Sequence, residues 1–410
     1  MKLSLTKTII SLIAVVSFVA CAKNETSVAD DAASVVINPF AKYRSYDDAR
    51  AFAESALSLL GEDTKSPTRR IASGECITNS ITKSDNDRRD TLFYVFNYAD
   101  NEGFAIINAN PGMEPIIAVT EKGYYNDGES TGVPALDEYI NVLKEKLLLR
   151  FDPPELYYWY DYITICETVN RNVGVRWGQR DIYGQYCPNG IAGCVATAMA
   201  QIMAYHLQPS SFIASVDMGN DYDIDDVVSL NWSAIKNHVH THTLPQTCSS
   251  VHTNIGALLR EIGEQVFMDY DDDGSYASVD DVPGAFFHFG YSTSSVLAVN
   301  NTMLKSALFN YGPVYMRGGG HAWVADGYKV YKYYYCRFER AVGDGSPVIT
   351  EQTLISETYY THINWGWDGD CNGYFGLGIY DIDDAQSYDV SHYNTGDDYN
   401  SDVKMIIVYP

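Results

Sequence analysis

Basic residues are scarce in this chain: 28 Lys and Arg stand against 53 Asp and Glu, for a net charge of -25. Nucleic acid calls for clustered cations and anionic membranes repel acidic chains, so neither is an expected partner. Long apolar runs are missing as well. The Ile9–Ala20 run spans 12 residues, short of the roughly 18 needed to cross a bilayer. The 8 cysteines include no Cys-x-x-Cys pair, which removes the usual thiolate zinc site. Charged residues are only 20 % and hydrophobic ones 46 %, a balance that excludes a disordered or coiled-coil protein. What remains is a globular chain of 410 residues, long enough for two or three domains and free of internal repeats. Its 33 tyrosines suit an extracellular protein of short strands and wet loops.

Lys2 and Lys7 precede the Ile9–Ala20 run, which reads as the apolar core of a signal peptide over residues 1–20. The run ends in Phe18-Val19-Ala20-Cys21, similar to a bacterial lipoprotein cleavage box. A lipid on Cys21 is then the expected membrane contact, with plain secretion as the alternative, since Phe18 stands where that box usually has Leu. Export permits disulfides. Once Cys21 and Cys194 are set aside, the remaining cysteines allow too many pairings to choose among.

Residues 21–44 are small and polar and read as a tether. Ser45 with Asp48 forms a capping-box pattern ahead of the helical spacing Ala49, Phe52, Ala53, Ala56, Leu57, Leu60, with Gly61 as the stop. A polar stretch, 62–90, precedes strand-like runs at Thr91–Tyr98, Gly103–Ala109 and Ile116–Thr120. A second helix is expected over Pro134–Arg150. The unit 45–150 is therefore a compact α+β domain. Pro153-Pro154 breaks the second helix, and 151–172 reads as an irregular aromatic linker. A larger domain, 173–410, follows, with helices after Cys194 and over Asn254–Gln265 and strand-rich sequence from Gly312 to Tyr409.

Chemistry concentrates in that larger domain. Cys194 opens the run Cys194-Val195-Ala196-Thr197-Ala198-Met199-Ala200-Gln201-Ile202-Met203, whose Val195, Ala198, Met199, Ile202 and Met203 recur at helical spacing. A thiol in a first helical turn meets unpaired N–H groups and the positive dipole end, which favour thiolate. Read alone, the segment fits a buried free cysteine or half a disulfide more readily than a nucleophile. His321 follows three glycines on a strand-like run, and Asn364 precedes Trp365-Gly366-Trp367 at the end of another. In the order Cys, His, Asn these three make a papain-type triad.

The motifs Trp177-Gly178-Gln179, Gly193-Cys194-Val195-Ala196-Thr197-Ala198-Met199-Ala200-Gln201-Ile202-Met203 with Tyr205-His206, Asn231-Trp232, Gly319-Gly320-His321-Ala322, Asp326-Gly327 and Asn364-Trp365-Gly366-Trp367 resemble the streptopain family of papain-like cysteine peptidases. Residues 45–150, with Gly103-Phe104-Ala105-Ile106-Ile107, are similar to that family's inhibitory propeptide. The resemblance implies a papain-like α+β peptidase domain behind a smaller α+β propeptide. It also implies a zymogen that matures by cleavage within 151–172 and hydrolyses protein or peptide substrates with no cofactor and no metal. Cys194 would be the nucleophile, His321 its proton partner, Asn364 the group orienting the imidazole and Trp365 its cover. Gln179 would donate to the oxyanion hole with the Cys194 N–H. Only 14 residues separate Gln179 from Cys194, where streptopain carries a longer loop. The acidic segment Met268–Ser275 replaces a glycine-containing loop on the substrate side.

Rival readings are another Cys-His acyl-transfer enzyme, a transglutaminase or cell-wall amidase, and a non-catalytic peptidase-like binding protein. The first class typically uses Asp as its third group, where this chain has the neutral Asn364. Asp269, Asp271, Asp273 and Gly274, and again Asp368, Asp370, Asn372 and Gly373, match the opening of a calcium loop but lack its closing Glu. They read as solvated loops. His238, His240 and His242 read as an exposed loop, His206 as a core histidine and His362 as structural, with a reserve role as base.

Overall fold

In the computed structural model the described residues are 43–62, 67–78, 91–111, 113–149, 156–170, 173–237, 250–271, 274–318, 320–340, 347–376 and 403–410. The residues read as signal peptide, Cys21, most of those read as tether and the His238–His242 run lie outside them.

Helix α1 (Tyr46–Ala56) starts at Ser45, whose hydroxyl accepts the Asp48 N–H at 3.1 Å. A short 3-10 turn, Leu57–Leu60, ends on Gly61 at φ 87°, a conformation that favours glycine. Strands β1 (Ile71–Thr78), β2 (Thr91–Tyr98), β3 (Phe104–Asn108) and β4 (Ile116–Thr120) pair antiparallel in sequence order, and α2 (Pro134–Leu149) follows. The nearly unbroken apolar run of β2 has a physical reason. Phe93 and Val95 join the core that α2 covers, whereas Tyr94, Phe96 and Tyr98 join the core under α1. Strand alternation sends neighbours to opposite faces, and here both faces are buried. β1 lies within the stretch read as polar.

The reading of 151–172 as irregular is corrected. Leu156–Asn170 forms strand β5, antiparallel to a later strand, β13 (His321–Arg340). Its aromatic and β-branched residues favour a strand, yet they follow no polar–apolar alternation that sequence could reveal. The breaker Pro153-Pro154 lies outside the described residues.

The larger domain begins with α3 (Cys194–His206), followed by β6 (Ser211–Ile213), β7 (Val227–Ser229), α4 (Trp232–Asn237) and α5 (Ser250–Gln265). The hairpin β8 (Asp269–Asp271) and β9 (Gly274–Tyr276) leads to α6 (Val282–His288), β10 (Ser292–Thr293), β11 (Leu297–Ala298) and α7 (Asn301–Asn310). Then come β12 (Val314–Gly318), β13 (His321–Arg340), β14 (Pro347–Asn364), β15 (Gly373–Gly376), β16 (Lys404–Ile406) and β17 (Val408–Tyr409). α3 is buried from Cys194 to Ala204 and packs between α5 and β13. Ala322 and Val324 of β13 face α3, and Trp323 and Ala325 face the other core.

Among the described residues the largest sheet has 11 strands, ordered β1-β2-β3-β4-β15-β14-β13-β12-β16-β11, with β5 also on β13. The two domains therefore share one sheet. The joint is β4 on β15, with Ala118, Val119 and Thr120 opposite Phe375, Tyr374 and Gly373. Gly373 is required there, because a Cβ would come 2.2 Å from the Val119 carbonyl oxygen.

Charges lock the joint. Just past β4, Glu121 meets Arg176 at 2.8 Å and His362 Nε2 at 3.4 Å, and Lys122 meets Asp370 at 2.6 Å. His362 Nδ1 lies 2.5 Å from Asp326. Burial alone would push His362 down, but the Asp326 and Glu121 carboxylates outweigh it and raise it from 6.5 to about 10. Burial likewise opposes ionisation of Glu121, and His362, Arg176 and Arg69 overcome it and hold the carboxyl below its ordinary 4.5. His362 is thus committed as an ion-pair partner and not as a base.

The signs follow by linkage. The His362 contribution is complete below its unfolded value and lost as pH rises through about 10. The Glu121 contribution is complete above its unfolded value and lost as pH falls through the lowered one. Hydrogen exchange of the Ile116–Thr120 amides in Cys194→Ala protein should therefore be slowest between about pH 5 and 9 after correction for intrinsic rates. Glu121→Ala should raise it on the order of tenfold at neutral pH while α5 stays protected, a change of about 1.4 kcal/mol in local opening. Equal exchange in the two proteins would show that the charges do not hold the joint.

Candidate active site

Cys194 is the first residue of α3. Gly193 before it has φ 87° and ψ 150°, and no side chain caps the helix. The Gly193 carbonyl accepts the Thr197 N–H at 3.1 Å. The first-turn N–H groups, the Cys194 N–H among them, therefore have no intrahelical acceptor. Facing them is the start of β13. The His321 imidazole hydrogen-bonds the Cys194 sulfur, and the Ala322 backbone N–H points at the same atom. The other edge of the ring is held by a backbone group: Nε2 lies 2.9 Å from the Trp365 carbonyl oxygen. That contact leaves Nδ1 for the thiol.

Burial would raise the Cys194 thiol, but the His321 charge and hydrogen bond, the Ala322 N–H and Arg317 together hold it below its ordinary 9.0. Burial would depress His321. The Cys194 charge and hydrogen bond, the Trp365 carbonyl and Glu138 instead raise it above 6.5. Both shifts favour a thiolate–imidazolium pair. Tryptophans wall it in. Trp323, Trp365 and Trp367 each place their ring centroid 6.3 Å from that of His321, with Trp323 and Trp367 stacked on it. Trp365 is fully buried and donates through Nε1 to the Cys371 carbonyl at 3.1 Å.

Gln179 is buried, and its Nε2 has no hydrogen-bond partner. Its backbone carbonyl accepts the Ala192 N–H at 2.8 Å, which ties it to the segment leading into Cys194. A buried amide donor left without a partner is free to bind a developing negative charge.

The structure unites Cys194, His321 and Trp365 but gives Asn364 different work. Its Nδ2 donates to the Val175 carbonyl and to Gln201 Oε1, both at 2.9 Å, and its Oδ1 accepts the Gly366 N–H at 3.1 Å. The expected hydrogen bond from Asn364 to the imidazole is replaced by the Trp365 carbonyl. A backbone acceptor carries no residue signature, so the sequence could not announce it. Sequence reasoning also missed Arg317 and Glu138. Glu138 acts on His321 only through charge, from α2, where Tyr139 packs edge-on to Phe375 and Phe375 in turn to Trp365. His206 stays apart, in contact with Tyr205 and Tyr291, and burial pushes it down to about 4. Among the described residues no cluster fits a metal ion, and Cys76, Cys187, Cys194 and Cys371 are free thiols.

A thiol at a helix N-terminus, an imidazole hydrogen-bonded to it from the facing strand and an open amide donor upstream define a papain-like cysteine peptidase site. Comparison with known proteins agrees. A model of the Peptidase C10 family matches residues 177–375, and one of the Spi protease inhibitor matches residues 31–146. Streptopain of Streptococcus pyogenes is 24 % identical over 327 residues, covering 69 % of this chain and 73 % of streptopain. The thiol protease/hemagglutinin PrtT of Porphyromonas gingivalis is 24 % identical over 336 residues, covering 72 % of this chain but only 34 % of PrtT. A prointerpain A fragment of Prevotella intermedia, with alanine in place of a cysteine, shares the fold at a TM-score of 0.50 and 18 % identity, covering 82 % of this chain and 99 % of the fragment. The peptidase domain thus carries the match to the Peptidase C10 (streptopain) family, and the domain before it the match to that family's propeptide inhibitor. The two domains together make it a cysteine-type endopeptidase of the zymogen kind.

Because the pair shifts both groups, alkylation of Cys194 by iodoacetamide should stay fast well below the ordinary thiol range. It should fall only as acid protonates the thiolate. Peptide hydrolysis should fall at alkaline pH as well, where His321 loses its proton. An alkylation profile centred near 9.0, the ordinary value, would show that no ion pair forms.

Proposed function

We propose that Cys194 is the nucleophile and His321 the general acid and base of peptide-bond hydrolysis through a thioacyl intermediate. The observation that carries this reading is the hydrogen-bonded Cys194–His321 pair, with His321 Nε2 fixed on the Trp365 carbonyl. The Cys194 thiolate attacks the scissile carbonyl carbon. Its oxygen becomes anionic within reach of the Cys194 N–H and Gln179 Nε2. His321 then gives its proton to the leaving amine, and water releases the acyl group by the reverse sequence. Trp365 shields the imidazole, and Asn364 holds the turn from which the Trp365 carbonyl projects. Nothing in this scheme calls for a cofactor or a metal. A transglutaminase or amidase is disfavoured by the family match, and a non-catalytic binding protein by the filled dyad.

The reading extends to the rest of the chain. Residues 1–20 serve as signal peptide and 21–44 as tether, with a lipid on Cys21 or plain secretion placing the enzyme outside the cytoplasm. Among the described residues no helix is long and apolar enough to cross a membrane. Residues 45–150 act as the inhibitory propeptide, and cleavage between Phe151 and Asn172 frees the peptidase domain, 173–410. Because β5 occupies most of that window on β13, processing inside it requires the strand to unpair.

Cys194→Ala should abolish both hydrolysis and epoxide labelling, and full labelling of that variant would sink the assignment. Gln179→Ala should lower turnover by roughly 10²–10³ without moving the alkylation profile, since it touches the transition state alone. Wild-type activity in that variant would mean the hole uses other donors. The Cys194→Ala protein should accumulate at full length unless another protease is added. N-terminal sequencing of the active form should give a start within 151–173. A start before residue 100, or full activity with 45–150 still covalently attached, would remove the inhibitory role from that domain.

A further inference from the structure

Helix α3 carries a polar residue that the mechanism above does not use. Gln201 lies two turns beyond Cys194, is fully buried, and sits among Ala200, Ile202, Met203 and Ala204, where an apolar side chain would pack at no polar cost. Its Oε1 accepts two hydrogen bonds: from the Trp177 backbone N–H at 3.3 Å and from Asn364 Nδ2 at 2.9 Å. Trp177 begins the segment that ends in Gln179, and Asn364 begins the turn that contains Trp365. One oxygen atom thus binds three segments far apart in sequence. One bears the nucleophile, one the oxyanion donor and one the carbonyl that orients His321.

Thr197, one turn earlier on the same helix face, reinforces the tie. Its hydroxyl lies 3.0 Å from the Gly193 carbonyl and 3.3 Å from the Gly178 carbonyl. Its methyl group sits 3.1 Å from where a Cβ on Gly366 would be. Gln201 Nε2, by contrast, is buried with no hydrogen-bond partner. An amide kept in an apolar helix with one end unsatisfied is costly, and its bonded end accounts for its presence.

We infer that Gln201 is a positioning residue that fixes Gln179 and the Trp365 carbonyl relative to Cys194, and that Asn364 contributes to catalysis through Gln201 and not through the imidazole. The inference rests on the assignment of Cys194 and His321 above. Misplacing an oxyanion donor or an imidazole by a fraction of an ångström slows the chemical step and leaves substrate binding alone.

The test uses the full-length zymogen after activation, with a fluorogenic peptide substrate and iodoacetamide as thiol probe. Gln201→Met, close in volume but without the acceptor, should lower kcat by at least about tenfold with KM within about twofold. The acid limb of its alkylation profile should move to higher pH as the imidazole loosens. Gln201→Asn keeps the amide but is one methylene too short to span both partners, and it should show the same pattern in milder form, which keeps the test alive if the Met variant does not fold. In a cycle with Asn364→Ala the double variant should be little worse than the worse single one, because both act through one hydrogen bond. Unchanged kcat in folded Gln201 variants, a rise in KM alone, or single effects that multiply fully in the double variant would overturn the inference. If wild-type Cys194 did not label at all, the nucleophile assignment would fall first and this inference with it.

Discussion

A negative sulfur in a buried place is the constraint on which this structure turns. Burial disfavours the Cys194 thiolate, and nothing but positive charge and hydrogen-bond donors can hold it there. The chain supplies them from two directions. The first turn of α3 offers backbone N–H groups because Gly193 enters the helix at φ 87° without a capping side chain to use them. The start of β13 offers His321 and the Ala322 N–H in adjacent positions, one by side chain and one by backbone. Both elements must be rigid for this to work. Each is: α3 is covered all round, and β13 is held by β12 and β5 along one edge and by β14 along the other.

The same sheet explains how the N-terminal domain is attached. A domain that merely lay over the cleft would depend on side-chain contacts. Here β4 continues the hydrogen-bond ladder that runs through β14, the strand ending at Asn364, into β13, the strand beginning at His321. The 3-10 turn after α1 adds a second hold, through Lys329 on the Leu59 carbonyl and Ser58 on the Tyr331 hydroxyl. Main-chain pairing contributes affinity with little demand on sequence, and the Glu121 and Lys122 ion pairs then fix the register.

What the sequence disclosed and what it withheld follow one rule. Elements with a period were legible: α1, with its cap at Ser45 and Asp48, and α2 and α3 from helical spacing alone. Cys194, His321 and Gln179 stood out as candidates too, because a thiol, an imidazole and an amide are side chains in recognisable surroundings. β1 was missed because it pairs along only one edge and stays largely exposed, so Ile-Ala-Ser-Gly-Glu-Cys-Ile-Thr shows no apolar face. β5 escaped for the opposite reason, an aromatic run with no polar beat. The role of Asn364 was misjudged because its neighbour's carbonyl took the place expected for its amide. Gln201 was visible as a polar residue in an apolar helix, but its partners, Trp177 and Asn364, come together only in the fold.

Glu138 links the two domains through charge. It lies on α2 of the propeptide and raises the proton affinity of His321, while His321 in turn favours the ionised form of the Glu138 carboxyl against its desolvation. Such coupling is reciprocal. If the docked domain makes the imidazolium more stable, the imidazolium makes the docked domain more stable by the same free energy. A proton on His321 therefore also favours the docked α2. Departure of α2 would remove that carboxylate and leave the imidazolium stabilised chiefly by Cys194 and the Trp365 carbonyl. His321 would then hold its proton less tightly, which suits the acid role proposed for it.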